Sequence, residues 1–283
     1  MQQITSTQNS LIKYLYSLSE KSKLRREHQE FLFEGKRELS LAIAAGYHIK
    51  QLFFCPAILP AAEVERSFAG YPLTEISLPV YEKLSYRSST EGILALAQGK
   101  DLSLSALSFD KENPLLLIAE APEKPGNIGA LLRTADAAGV DAVCIANPKT
   151  DMYNPNVIRS SVGTLFTVPI ATASTEELLH FLAQKHFTLY CAALSASVPY
   201  DSVSYKGRTA IAVGTEDVGL SPQWLEASSQ NIIIPMRGKI DSMNVSVSAA
   251  VLIFEAVRQR HSKEWSCTLS RELSLILPKL YHS

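Results

Sequence analysis

The sequence predicts an α/β protein built from two modules, and three observations carry that expectation. From residue 114 onward, continuous apolar runs alternate with segments of helical period, the pattern of parallel strands covered on both faces. Residues 1–98 instead mix amphipathic helices with short apolar runs, as a small α/β unit would. Between them, residues 99–113, GKDLSLSALSFDKEN, are polar, serine-rich and without period, and read as a linker. A length of 283 residues accommodates two ordinary domains.

In order along the chain, NSLIKYLYSLSEKSKLRREHQ carries Leu11, Ile12, Leu15 and Leu18 at helical spacing, with Asn9 or Ser10 as N-cap. EFLFEG is a short strand ending at Gly35, and KRELSLAIAAG is a second amphipathic helix closed by Gly46. IKQLFF and GILALAQ are further runs of strand length. In the second module the strand candidates are PLLLIAE, DAVCIAN, FTVPIA, FTLYCAAL, RTAIAVG and QNIIIPM. NIGALLRTADAAG and STEELLHFLAQK have helical period, and NVSVSAAVLIFEAV forms the last helix. KTDMYNPNVIRSSVGTL reads as a long irregular segment.

Hydrophobic residues make up 46% and charged residues 19%, which fits a soluble globular protein with a substantial core. The formal net charge of −1 excludes nucleic-acid binding driven by bulk charge, but a local patch can still contact phosphates. The run KSKLRR, with Lys21, Lys23, Arg25 and Arg26, is either such a patch or a solvated helix face. Cys55, Cys144, Cys191 and Cys267 are far apart and form no CxxC pair. Neither a disulfide framework nor a zinc site is therefore expected, and a reducing cytoplasm is the natural setting. The N-terminus shows no signal-peptide pattern, and no run approaches the roughly 20 apolar residues that span a bilayer.

Sheets of this kind bind ligands beyond the carboxyl ends of their strands, so three loops matter most. In AEAPEKPGNIGALLRTADAAG, Asn127 stands where a helix begins, as N-cap or as a functional group. Gly129 lets that helix approach a neighbour closely. Arg133 is either an ordinary surface arginine or a group near the same crevice, within reach of an anion. In AVGTEDVGLSPQWL, Gly219 and Pro222 bracket a turn after Gly214, and Glu216 and Asp217 are candidates to cap the next helix. Neither GxxxxGK[ST] nor GxGxxG occurs, so ATP and NAD have little support. In NIIIPMRGKIDSMNVSVSAAVLIFEAVRQR, a strand passes through a polar turn holding Asp241, Ser242 and Asn244.

In order, spacing and residues, these loops resemble the SpoU (TrmH-like) branch of the SPOUT RNA methyltransferases. The first motif looks like PGNIGALLRTADAAGVDAV, the second like VGTEDVGLS and the third like IPMRGKIDSMNVSVSAAVLIFEA, so the resemblance covers residues 114–260. FEGKRELSLAIAAG and EGILALAQ resemble the small substrate-binding domain, built like certain ribosomal proteins, that many relatives carry. Two positions depart from the usual pattern: Asp217 replaces a glycine and Met243 replaces a leucine.

The resemblance implies a mostly parallel α/β domain over residues 114–283 with a C-terminal deep trefoil knot. It implies transfer of a methyl group from S-adenosylmethionine to a ribose 2′-hydroxyl of RNA, ribosomal RNA rather than transfer RNA, by a homodimer and without a metal. By the same resemblance, Gly214, Ile234 and Met243, with Thr215, Leu220 and Met236, would hold the cofactor. Arg133 would act at the hydroxyl, as an electrostatic stabiliser with phosphate-assisted proton removal, because guanidinium loses a proton very reluctantly. Asn127, Glu216, Ser242 and Asn244 would position Arg133 and the ribose. Lys21, Lys23, Arg25, Arg26 and Lys36 would contact RNA. The rival account is a non-catalytic RNA-binding or ribosome-assembly protein, for which the presence of all five polar site residues has no explanation.

Overall fold

In the computed structural model, residues 2–85, 91–215, 217–239 and 242–261 are described; Glu216, Asp241 and Cys267 lie outside them. The first module runs β1 (Gln2–Ile4), α1 (Ser10–Glu20), α2 (Ser22–His28), β2 (Glu30–Glu34), α3 (Lys36–Ala44) and β3 (Ile49–Phe54). It continues with α4 (Ala61–Ser67), β4 (Leu73–Ile76), α5 (Leu78–Leu84) and β5 (Ile93–Gln98). Its sheet has the order β1-β4-β3-β5-β2, with β5 antiparallel to both neighbours. Ile12, Leu15 and Leu18 bury the inner face of α1, as their spacing requires, and the Asn9 side chain caps it by accepting from the Leu11 N–H at 2.8 Å.

The expected single long helix is broken at Lys21, whose backbone is extended. Arg25 accounts for the break. The residue is 4% exposed, and its guanidinium donates to the Leu18 and Ser19 carbonyls, the open end of α1, at 2.5 and 2.9 Å. Its Nε also pairs with Asp151 of the second module at 2.5 Å. Arg25 is thus a staple between helix end and module, and the expectation that it contacts RNA is corrected.

The second module contains β6 (Leu115–Glu120), α6 (Pro125–Ala138), β7 (Ala142–Ala146), α7 (Pro155–Ser161), α8 (Thr164–Thr167) and β8 (Ile170–Ala173). Then follow α9 (Thr175–Gln184), β9 (Thr188–Ala192), β10 (Ser197–Pro199), β11 (Thr209–Val213), α10 (Pro222–Ala227), β12 (Gln230–Ile233) and α11 (Val245–Arg260). Every strand pair among its described residues is parallel, and the order is β10-β12-β9-β11-β6-β7-β8. The chain leaves β6 toward β7 and leaves β11 toward β12, in opposite directions. The switch point of the sheet therefore lies between the ends of β6 and β11.

Three local expectations change. Asn127 is no N-cap: Pro125 takes the first helical position, where its missing N–H costs nothing, so Asn127 lies inside α6. FTVPIA splits, its first residues closing α8 and the strand starting only after Pro169. The segment read as irregular contains α7, capped by Asn154 and opened by Pro155. Gly129 does what its size suggests, since a Cβ there would lie 2.1 Å from Ser160 Oγ at the crossing of α6 and α7.

The modules share one core. Phe31 stacks on Tyr153 with ring centroids 4.3 Å apart, and Phe166 lies 5.0 Å from Phe33 and 5.1 Å from Tyr47. Gly163, at φ 86°, lets α3 close in, for a Cβ would meet Leu41 at 2.6 Å. The expected linker is a strap: the Thr172 N–H donates to the Leu102 carbonyl at 2.7 Å, and Leu104, Leu107 and Phe109 pack against the core of the second module. Removing the Asp151 carboxylate leaves a buried guanidinium without its counter-charge. Asp151→Ala should therefore lower stability by about 3–5 kcal/mol, read from urea unfolding. An Arg25→Met/Asp151→Leu pair should recover most of the loss.

Candidate functional site

A cavity of about 340 Å³ opens at the carboxyl ends of β11 and β12 and is closed from the side by the start of α11. All six residues expected to hold a cofactor line it: Gly214, Thr215, Leu220, Ile234, Met236 and Met243. Ser242 lines it too. Its wall is mostly apolar, with Ser195, Thr215, Asp217, Ser242 and Ser248 as polar lining residues, which suits a ligand with a few polar groups on an apolar body.

The loop from Gly214 to Leu220 folds back on itself. The Thr215 N–H donates to the Gly219 carbonyl at 3.2 Å, and the Gly219 N–H returns to Thr215 O at 3.0 Å. A Cβ on residue 214 would lie 2.0 Å from the Gly219 carbonyl carbon, so only glycine permits this return. Gly219 itself sits at φ 69°.

Asn244 joins the cavity to α6. Its Oδ1 caps α11 by accepting from the Ser246 N–H at 3.0 Å, and its Nδ2 donates to Asn127 Oδ1 at 3.1 Å. The first and third loops are thereby linked across 117 positions of sequence.

Arg133 is elsewhere. Six residues after Asn127 it is turned about 120° around the helix and about 9 Å along it. It lines a separate shallow groove with Arg159, Asn156 and Ser160, where α6 crosses α7. The cavity and this groove are distinct within one chain, so the expected single crevice is divided. Arg159 escaped sequence reading because its helix was taken for irregular chain; Asn154-Pro155 was the available signal.

Of the other expected RNA contacts, Lys21, Lys23 and Arg26 are exposed. Lys36 is paired with Glu63 at 2.7 Å, which offsets its charge. Arg26 opens on a groove that also carries Lys100 and Lys149, at the seam of the two modules. Among the described residues no cluster of His, Cys, Asp and Glu could hold a metal ion. Burial pushes the Cys144 and Cys191 thiols up to about 12, so both are protonated at neutral pH and are no nucleophiles.

Because the atoms crowding Gly214 are backbone, Gly214→Ala has no easy relief. It should cost about 1–3 kcal/mol in thermal unfolding and accelerate amide exchange in residues 215–220, with the core strands little affected.

Comparison with known proteins gives this geometry a family. Residues 114–254 match the SpoU rRNA Methylase family, and residues 9–95 match the MRM3-like substrate binding domain. Over 254 residues the chain is 27% identical to 23S rRNA (guanosine(2553)-2'-O)-methyltransferase RlmP of Bacillus subtilis (strain 168), covering 90% of this chain and 98% of that one. A crystal structure of an RNA 2'-O ribose methyltransferase, 41% identical, superposes with a TM-score of 0.79 over 91% of this chain and 99% of its own. The AdoMet-bound rRNA methyltransferase from Sinorhizobium meliloti, 25% identical, gives 0.83 over 91% and 97%. With a relative above 40% identity matched over nearly its whole length, and with the second and third motif loops lining one cavity to which the Asn244–Asn127 bond ties the first, this chain belongs to the SpoU rRNA methylase family.

Proposed function

We propose that this protein is an S-adenosylmethionine-dependent RNA 2′-O-ribose methyltransferase acting on ribosomal RNA. The observation that carries the reading is the cavity lined by Gly214, Thr215, residues 217–220, Ile234, Met236, Ser242 and Met243, joined to α6 by the Asn244–Asn127 bond. The relatives support it: RlmP is named for a guanosine of 23S rRNA, and the S. meliloti structure holds AdoMet. Ribosomal rather than transfer RNA is favoured by these names and by the substrate-binding match over residues 9–95.

The donor set fits the cofactor. Its adenine offers ring nitrogens and an amino group to main-chain donors and acceptors, and its ring faces to apolar walls such as Leu220, Met236 and Met243. Bound there, S-adenosylmethionine supplies an electrophilic methyl group. The protein's own task is to place a poorly nucleophilic hydroxyl and manage its proton. Asn127 and Asn244 hold each other and fix the turn carrying Ser242 at the cavity wall. Arg133 and Arg159 form a cationic groove suited to an RNA phosphate; in the homodimer proposed below, the groove of one protomer would serve the cavity of the other, orienting the ribose and stabilising negative charge developing on its oxygen. An arginine at a groove of this kind serves as a fixed positive charge, not as a base. Lys21, Lys23 and Arg26 add phosphate contacts on the first module.

The proposal includes the deep trefoil knot, supported by the insertion of β12 between β10 and β9 and the return of the chain to the cavity at 242–243. It also includes a cytoplasmic homodimer. No described helix is long and apolar enough to cross a membrane. One face of α11 is buried in the monomer, through Ala249, Leu252, Ile253 and Ala256, while Val247 and Phe254 on the other are 48% and 41% exposed. A second copy covering that stripe would bury it beside Asn244.

Arg133→Ala should lower methyl transfer to RNA at least about 100-fold while S-adenosylmethionine affinity stays within about twofold. Loss of cofactor binding in the folded variant would show that the role is misassigned. Light scattering should give twice the 31.1 kDa chain mass, and Phe254→Glu should shift the protein toward monomer. A wild-type protein that stays monomeric at micromolar concentration would refute the dimer.

A further inference from the structure

At the switch point, beyond the residues assigned so far, sits a buried carboxylate. Glu120 ends β6 and is 8% exposed. Its Oε2 accepts from the Ser221 backbone N–H at 2.7 Å, and its Oε1 accepts from the Ser221 hydroxyl at 2.8 Å. The Thr175 hydroxyl donates to the same Oε1 at 3.1 Å. Thr175 Oγ1 is in turn saturated by Trp224 Nε1 at 3.2 Å and Asn147 Nδ2 at 2.9 Å, so its own proton has Glu120 as its outlet. A buried carboxylate is tolerated only where such donors converge on it.

The choice made by Ser221 is the informative part. It is the N-cap residue of α10, and a serine there ordinarily turns its oxygen to the free N–H groups of its own helix. Ser221 makes no such bond and commits both of its donors to Glu120, 101 positions away in sequence. Ser221 directly follows Leu220, the last cavity residue of the loop that starts at Gly214. One root of that loop is thus held by β11, and the other by the end of β6.

We propose that Glu120 is a positioning residue for the cofactor loop: by gripping Ser221 it fixes the far root of residues 214–220 and hence the wall they present to the ligand. The inference rests on reading the cavity as the S-adenosylmethionine site, and it acts on binding rather than on the chemical step.

Glu120→Gln tests it with almost no change in shape. Either way round, the amide loses a bond: its nitrogen meets the Ser221 N–H donor to donor or, flipped, takes the place of Oε1 and leaves the Thr175 proton without an acceptor. In the ligand-free variant, the Thr215 and Gly219 amides should exchange about tenfold faster or more, while those of Ala210–Val213 in β11 stay at wild-type rates. S-adenosylmethionine affinity by calorimetry should fall about tenfold, and its KM should rise with little change in kcat or in the KM for RNA. Ser221→Ala, which keeps the backbone bond, should show both effects at about threefold. The exchange readout needs no ligand, so it stands apart from the functional reading, which titration of the wild-type protein with S-adenosylmethionine tests separately. Wild-type exchange at Thr215 and Gly219 in Glu120→Gln would overturn the proposal, as would acceleration shared equally by β11. If Glu120→Gln fails to fold, unchanged loop exchange in Ser221→Ala overturns it alone.

Discussion

The close approach of α6 to α7 at Gly129 is the constraint on which most of the molecule depends. A side chain there would collide with Ser160, so the missing Cβ sets how near α7 can lie. That separation places Arg159 across from Arg133 and forms the groove between them. Beyond α7 the chain turns through Val162 and Gly163 into α8, whose Phe166 completes the aromatic junction with the first module. On its other flank α6 packs on α11 and brings Asn127 to Asn244. One helix surface therefore registers the cavity, the groove and the module junction together.

Much of this was legible in the sequence because the underlying signals are local. Apolar runs of strand length gave the parallel sheet, and the spacing of Ile12, Leu15 and Leu18 gave the buried face of α1. The cavity residues were legible through the motifs, since a loop whose backbone approaches itself needs Gly214 whatever its neighbours are. What escaped was decided by contacts between distant residues. Arg25 sits in a basic run and looks solvated; only the folded chain shows that the broken end of α1 and Asp151 claim its guanidinium. Arg133 and Asn127 share a helix and a motif but not a face, and spacing along the chain hid that angle.

Ser221 and Glu120 belong to the same class of hidden fact. Locally, Ser221-Pro222 is an ordinary helix start, and Glu120 is the polar end of an apolar strand. Their pairing is set by the sheet order, which brings the ends of β6 and β11 side by side. Buried polar groups of this kind add specificity because each donor has one acceptor that suits it. They mark where a backbone position is held by long-range structure instead of by its own neighbours.

The aromatic junction gives the protein a fixed span. Phe31, Phe33 and Tyr47 meet Tyr153 and Phe166 in a core continuous with that of both modules, and the strap at 99–113 lies along the second module instead of hanging free. Two recognition surfaces joined this way do not search for each other; the distance between them is built in before any ligand arrives. Such a molecule works as a caliper. On the proposed RNA reading, it accepts an RNA whose own landmarks already stand the right distance apart, and refuses a fold that misplaces one of them.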